Sequence, residues 1–136
     1  MLNRVIIQGR LTATPELKYT ANGKAVTAVN VAVERDKADA NGQKQTDFIT
    51  CVIWGGLAEF VGKWFAKGQM ITVEGRMQGR IWQDKDGNNR KTWEIVANAA
   101  YFCGNAPEEK PKQSGREPTY NIGDFEPLSD SDDVPF

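Results

Sequence analysis

Apolar and polar positions alternate with a period of two through most of the first hundred residues. RVIIQGRLT predicts a first strand, PELKYTANG a loop closing on an Asn-Gly turn signal, KAVTAVNVAVER a second strand, and DKADANGQKQT a polar loop. DFITCVIW predicts a third strand. The period then changes. In GLAEFVGKWFAKG, Leu57, Phe60, Val61, Trp64 and Phe65 fall at i, i+3, i+4, i+7 and i+8, one apolar stripe of a single helix, with Lys67 in its last turn and Gly68 as a stop. QMITVEGRMQGRIW predicts a fourth strand, and TWEIVANAAYFC, past the Asp86-Gly87 turn signal, a fifth.

Five strands with one helix between the third and fourth is the order expected of an OB-fold, an all-β class built on a small, five-stranded, partly open barrel. Gly9, Gly75 and Gly79 within strands fit sharp bends at barrel corners. The alternative is a five-stranded open sheet with the helix on one face. Either way the helix closes one end of a small core, and Trp64 on its stripe reads as a core residue.

Side chains two apart on a strand share a face. In the third strand Ile49, Cys51 and Ile53 make one apolar face, while Phe48, Thr50, Val52 and Trp54 make the other; one core cannot account for both. In the fourth, Ile71, Val73, Met77 and Ile81 fall on one side, and Arg76, Gln78, Arg80 and Trp82 on the opposite side. A tryptophan in line with two arginines faces water or a ligand. Guanidinium groups alternating with flat rings suit single-stranded nucleic acid, because cations neutralise phosphates while rings stack on exposed bases of any identity. Trp93 shares a parity with Ile95 and Ala97 and fits either core or binding face.

Charge divides the chain in two. Residues 1–105 hold 14 basic and 10 acidic side chains, a net +4, whereas residues 106–136 hold 3 and 8, a net −5, giving −1 for the whole chain of 136 residues. The first segment reads as one folded domain whose partner is anionic. The second has five prolines, few aliphatics and no sustained period, the composition of a disordered acidic tail. Cys51 and Cys103 are lone thiols in apolar surroundings, read as small buried hydrophobes. The chain has no histidine, the usual general base and commonest metal ligand, so no catalytic residue, metal site or cofactor is expected. No apolar run approaches a bilayer span, and the N-terminus shows no signal-peptide pattern, so a cytoplasmic protein is expected, with no membrane partner.

The stretches LNRVIIQGRLTATPELKYTANGKAV, DFITCVIWGGLAE, VEGRMQGRIWQDKDG and the terminal DDVPF, in that order, resemble the single-stranded DNA-binding proteins of bacteria and bacteriophages. The resemblance implies an OB-fold domain, usually assembled as a homotetramer, that binds DNA strands exposed in replication, recombination and repair, either at the nucleoid or in the host cytoplasm of a phage. Its stacking positions fall on Phe48, Trp54 and Trp82. A further aromatic of many members, before the loop between strands two and three, has no match here; VERDKADANGQ offers only Arg35 nearby. Phosphate or polar contacts are expected from Arg4, Arg10, Arg35, Arg76, Gln78, Arg80, Arg90 and Lys91.

The resemblance also implies a C-terminal peptide that docks partner proteins. The expected organisation is a binding domain over 1–105, a linker over 106–129, shorter than in many bacterial members and without their long Gly/Gln-rich stretch, and a docking tip over 130–136. In the tip, Phe136 would enter an apolar pocket, Val134 and Pro135 would precede it, and Asp130, Asp132 and Asp133 would favour a basic surface. The bland alternative is a solubilising tail. An RNA-binding OB or cold-shock protein is the rival for the domain, and a metal-dependent nuclease a more distant one, because the densest carboxylates lie in the tail.

Overall fold

The computed structural model describes residues 1–104; the linker and the docking tip lie outside the described residues. The chain forms β1 (Val5–Leu11), β2 (Lys18–Tyr19), β3 (Ala25–Ala38), β4 (Lys44–Trp54), α1 (Gly55–Trp64), β5 (Met70–Gln83) and β6 (Asn89–Phe102). The strands lie in the order β1-β5-β6-β4-β3-β2, and β3 pairs back onto β1 through Arg10–Ala32 and Leu11–Val31. Five strands thereby close a barrel, with α1 between its third and fourth strands, as in an OB-fold. Two seams are short: β1–β3, and the parallel β4–β6 pairing of Cys51 with Ile95 and Val52 with Val96. The two-residue β2, within the segment expected to be loop, pairs with Val26 and Ala25 at the edge of β3.

Alternation sends one side of each strand inward. Leu11, Val29, Val31, Cys51, Ile53, Ile71, Val73 and Ile95 are buried, joined by Ala58, Val61 and Phe65 from α1 and the residue after it. Burial pushes the Cys51 thiol up to about 12, as fits a packing residue. Cys103 departs from expectation: it is half-buried among polar neighbours, with its Sγ 3.2 Å from Gln8 Nε2 and 2.9 Å from Thr72 Oγ1.

Close backbone approach explains two strand glycines. A methyl at Gly9 would collide with the Ala32 carbonyl oxygen, and one at Gly75 with that of Val96. The register of β5 against β6 also shifts between Glu74 and Gly75. Beyond this point the inward parity of β5 leaves the core, and Met77 and Ile81 are exposed.

The helix corrects two expectations. It ends at Trp64, so Lys63, not Lys67, is the basic residue in its last turn. Phe65 is extended, with φ −105° and ψ 145°. That change of direction carries Phe65 into the core, fully buried, and leaves Trp64 43% exposed with the Lys63 ammonium 5.4 Å from its ring centroid. The helix stops one residue before Phe65, the last position of the predicted stripe, and its own final residue, Trp64, stays partly exposed.

Candidate nucleic-acid interface

The outer sides of β3, β4, β5 and β6 line one groove. Its floor is apolar, from Val26, Ala28, Val52 and Val96; Trp54 and Lys24 stand in one part of it, and Arg76, Gln78, Arg80 and Glu94 in another. Strand register produces this arrangement. Trp54 lies opposite Val26, Val52 opposite Ala28, Val96 opposite Arg76, and Gln78 opposite Glu94. The groove therefore carries three cations and one carboxylate over a hydrocarbon floor.

Trp54 is the last residue of β4 and the residue before α1. Gly55, at φ +66°, lets the chain leave the strand for the helix at once, a conformation that side-chain-bearing residues rarely adopt. The indole is 39% exposed, and the Lys24 ammonium sits 5.1 Å from its ring centroid. Phe48 is further along the same side of β4 and 70% exposed. Trp82 shares the outer side of β5 with Arg76, Gln78 and Arg80, is 44% exposed, and donates from Nε1 to Thr92 Oγ1 at 2.8 Å, which fixes its ring plane. All three rings expected to stack thus lie on outward-facing sides.

The cations divide by what holds them. Arg76 has no ion pair and no side-chain hydrogen bond among the described residues, and it lines the groove. Arg80 Nε is 4.0 Å from Glu94 Oε2. Arg90, opposite Trp82, is tied by Nε to Asp84 Oδ2 at 3.0 Å. Asp84 Oδ1 also accepts the backbone N–H groups of Asn88 and Asp86, and these bonds, that of Asn88 foremost, hold its carboxyl below the usual carboxylate range. The same aspartate thus organises the hairpin turn and orients Arg90.

Arg35 makes a fork with Asp47, at 2.9 and 2.7 Å, and donates to Gln45 Oε1 at 2.8 Å. Hydrogen bonding between the two raises the Arg35 pKa and lowers that of Asp47. Arg4 pairs with Glu74 at 3.0 Å, and Arg10 donates to the Gly68 carbonyl at 3.1 Å. Neither lines the groove. Lys91, opposite Ile81, is on the other side of the β5–β6 hairpin, 4.3 Å from the ring centroid of Trp93. Trp93 itself is 57% exposed, so it belongs neither to the core nor to the groove.

Sequence reasoning put Thr50 on the outer face of its strand without giving it a role, and missed Lys24, Asn30 and Glu94. One step back along the parallel β4–β6 register from Cys51 and Ile95, Glu94 falls beside Thr50, whose hydroxyl donates to Asn30 Oδ1 at 2.8 Å. With Gln78 opposite Glu94, a polar row crosses four strands of the groove.

The Single-strand binding protein family matches residues 2–103, which is the whole barrel. This chain belongs to that family. Among its relatives, a protein of Oceanobacillus iheyensis named single-stranded DNA-binding protein is 42% identical over 117 residues, 86% of this chain and 70% of that protein. The single-stranded DNA-binding protein A of Bacillus subtilis is 39% identical over 115 residues, 85% of this chain and 63% of that protein. That of Caldanaerobacter subterraneus is 35% identical over an alignment covering both chains in full. This family member therefore spans about two thirds of the length of the first two, the barrel included. Its groove places one exposed ring, Trp54, with two cations, Lys24 and Arg76, that make no ion pair among the described residues.

Proposed function

We infer that this chain binds single-stranded DNA without regard to sequence, along the groove and outward over the β5–β6 hairpin. The observation that carries this reading is the groove lined by Trp54, Lys24, Arg76 and Arg80, with Phe48 and Trp82 exposed on the same two strands beyond it. Rings offer stacking surfaces to unpaired bases, the valine floor accepts their faces, and cations at the margins meet phosphates. Arg35 and Arg90 contribute from their ion pairs, Arg4, Arg10 and Lys91 from outside the groove, and Gln78 as a polar contact. Duplex DNA offers no free base faces and is expected to bind far more weakly.

Titration with an oligo(dT) should quench tryptophan emission. Each phosphate contact on a single strand contributes a slope of about −0.7 in log K against log salt, so Lys24, Arg76 and Arg80 alone give a slope near −2, which contacts from the cations outside the groove steepen. A flat salt response, or equal affinity for duplex, overturns the reading. Preference for a ribo-oligomer of equal length would favour an RNA-binding role instead. Degradation of labelled DNA in magnesium or manganese would favour a nuclease.

A homotetramer, partner proteins in replication, recombination and repair, and a cytoplasmic, nucleoid-associated location belong to the same proposal. Ile6, 64% exposed on β1, supplies apolar area of the kind an interface between copies covers, and native mass of the titrated sample tests it. Among the described residues, no helix is long and apolar enough to cross a membrane. For the tip, support comes from its composition: Asp130, Asp132 and Asp133 ahead of Val134, Pro135 and a terminal Phe136. Phe136→Ala should abolish recovery of such partners from a host lysate while leaving DNA affinity unchanged, because one apolar anchor carries most of the docking energy. Equal recovery by wild type and variant would leave the tail a solubilising segment.

A further inference from the structure

The groove of a protein that binds a polyanion holds a nearly buried carboxylate. Glu94 is 7% exposed and lines the groove between Gln78 on β5 and Thr50 on β4. Among the described residues its carboxylate accepts no hydrogen bond. Its sole ion-pair partner there, Arg80 Nε, stands at 4.0 Å, beyond hydrogen-bond length. The Thr50 hydroxyl, its neighbour, is already committed to Asn30. With no protein hydrogen-bond donor among the described residues, the carboxylate keeps acceptor positions that face the groove, where a ligand can supply the donor.

The chemistry of a DNA strand restricts that donor. Phosphate and sugar-ring oxygens only accept hydrogen bonds, and a phosphate beside Glu94 would add repulsion. Along the interior of a deoxyribose strand, donors are found on base edges. Cytosine N4 and adenine N6 present amino groups, and guanine presents N1–H and N2–H side by side. Thymine presents a lone N3–H flanked by two carbonyl oxygens, one of which any approaching carboxylate must meet. Carboxylates accepting from cytosine N4 are an established mode of base reading.

We propose that Glu94 is a base-edge acceptor at the floor of the groove, which turns bases inward and phosphates outward and favours amino-bearing bases over thymine at that position. Arg80 keeps the local charge balanced, so the carboxylate does not repel the strand as a whole. Sequence-independent stacking on Trp54 and Trp82 is overlaid by a compositional preference at one site. The inference rests on the reading of the groove as a single-stranded DNA site.

The test compares oligo(dC) with oligo(dT) of equal length at neutral pH, both pyrimidine strands with little internal structure, against wild type and Glu94→Gln. Glutamine keeps the shape, and its amide, offering both donor and acceptor, satisfies either base. The expected result is a fall of about five- to tenfold in the dC-to-dT affinity ratio, the lower part of the range for one base contact, with dT affinity unchanged or raised. Glu94→Asp, which keeps the charge but withdraws the carboxylate by one methylene, should also lower the ratio and serves if the glutamine variant does not fold. A ratio that is the same in wild type and in the folded variants overturns the inference and leaves the DNA-binding reading intact. Failure of both oligomers to bind wild type overturns both.

Discussion

Phe65→Ala is expected to remove about 3–5 kcal/mol of unfolding free energy, whereas Trp64→Ala, one residue earlier, removes about 1 kcal/mol or less. Phe65 is fully buried, stacked on Phe102 at 4.5 Å between centroids with 13° between planes, and edge-on to Phe60 at 6.0 Å. Truncation there empties the space beneath α1 and unpairs the ring that joins the helix to β6. Trp64 is 43% exposed, with the Lys63 ammonium over its ring, so its truncation opens no enclosed core space. Small domains are stable by only about 5–15 kcal/mol, so the first loss is a large fraction of the total. Urea unfolding of both variants checks the contrast; equal losses would mean that the turn out of the helix does not sort the two residues.

The reason for that contrast also marks how far the sequence could be read. Alternation located the five long strands, and it divided β4 correctly: Cys51 and Ile53 are buried, Phe48 and Trp54 exposed. Both are local properties of a period-two pattern. Periodicity failed where the helix stopped, because the end of α1 depends on the extended backbone at Phe65, which the apolar stripe does not encode. Lys24 and Glu94 were invisible for another reason. Lys24 meets Trp54 through antiparallel pairing of β3 with β4, and Glu94 meets Thr50 through the short parallel seam. Neither register is written in a local pattern. Lys91 pairs with Ile81 and lies with Trp93 on the other side of the hairpin from Arg80 and Trp82, and that side too is set by the β5–β6 register. Ion pairing that ties Arg4, Arg35 and Arg90 depends on partners that only the fold brings near.

The double variant Trp54→Ala/Trp82→Ala should lose about 2–6 kcal/mol of single-stranded DNA affinity, twice the roughly 1–3 kcal/mol of one stacked base, and should keep its fold. Both rings are more than a third exposed, so their removal leaves no core cavity. Trp54 works at the strand-to-helix junction beside Lys24, and Trp82 on the hairpin, oriented by Thr92. They share no partner, and losses at independent sites add to within about half a kcal/mol. Each single variant should therefore account for its own share, and Thr92→Val, which removes only the hydroxyl that fixes the Trp82 ring, should reproduce part of the Trp82→Ala loss. Anisotropy of a labelled oligo(dT) measures all four proteins without relying on the emission of the residues removed. A double variant that binds like either single one would place one of the rings off the DNA path. An unchanged affinity in all of them would remove stacking from the account and leave the cations of the groove to hold the strand alone.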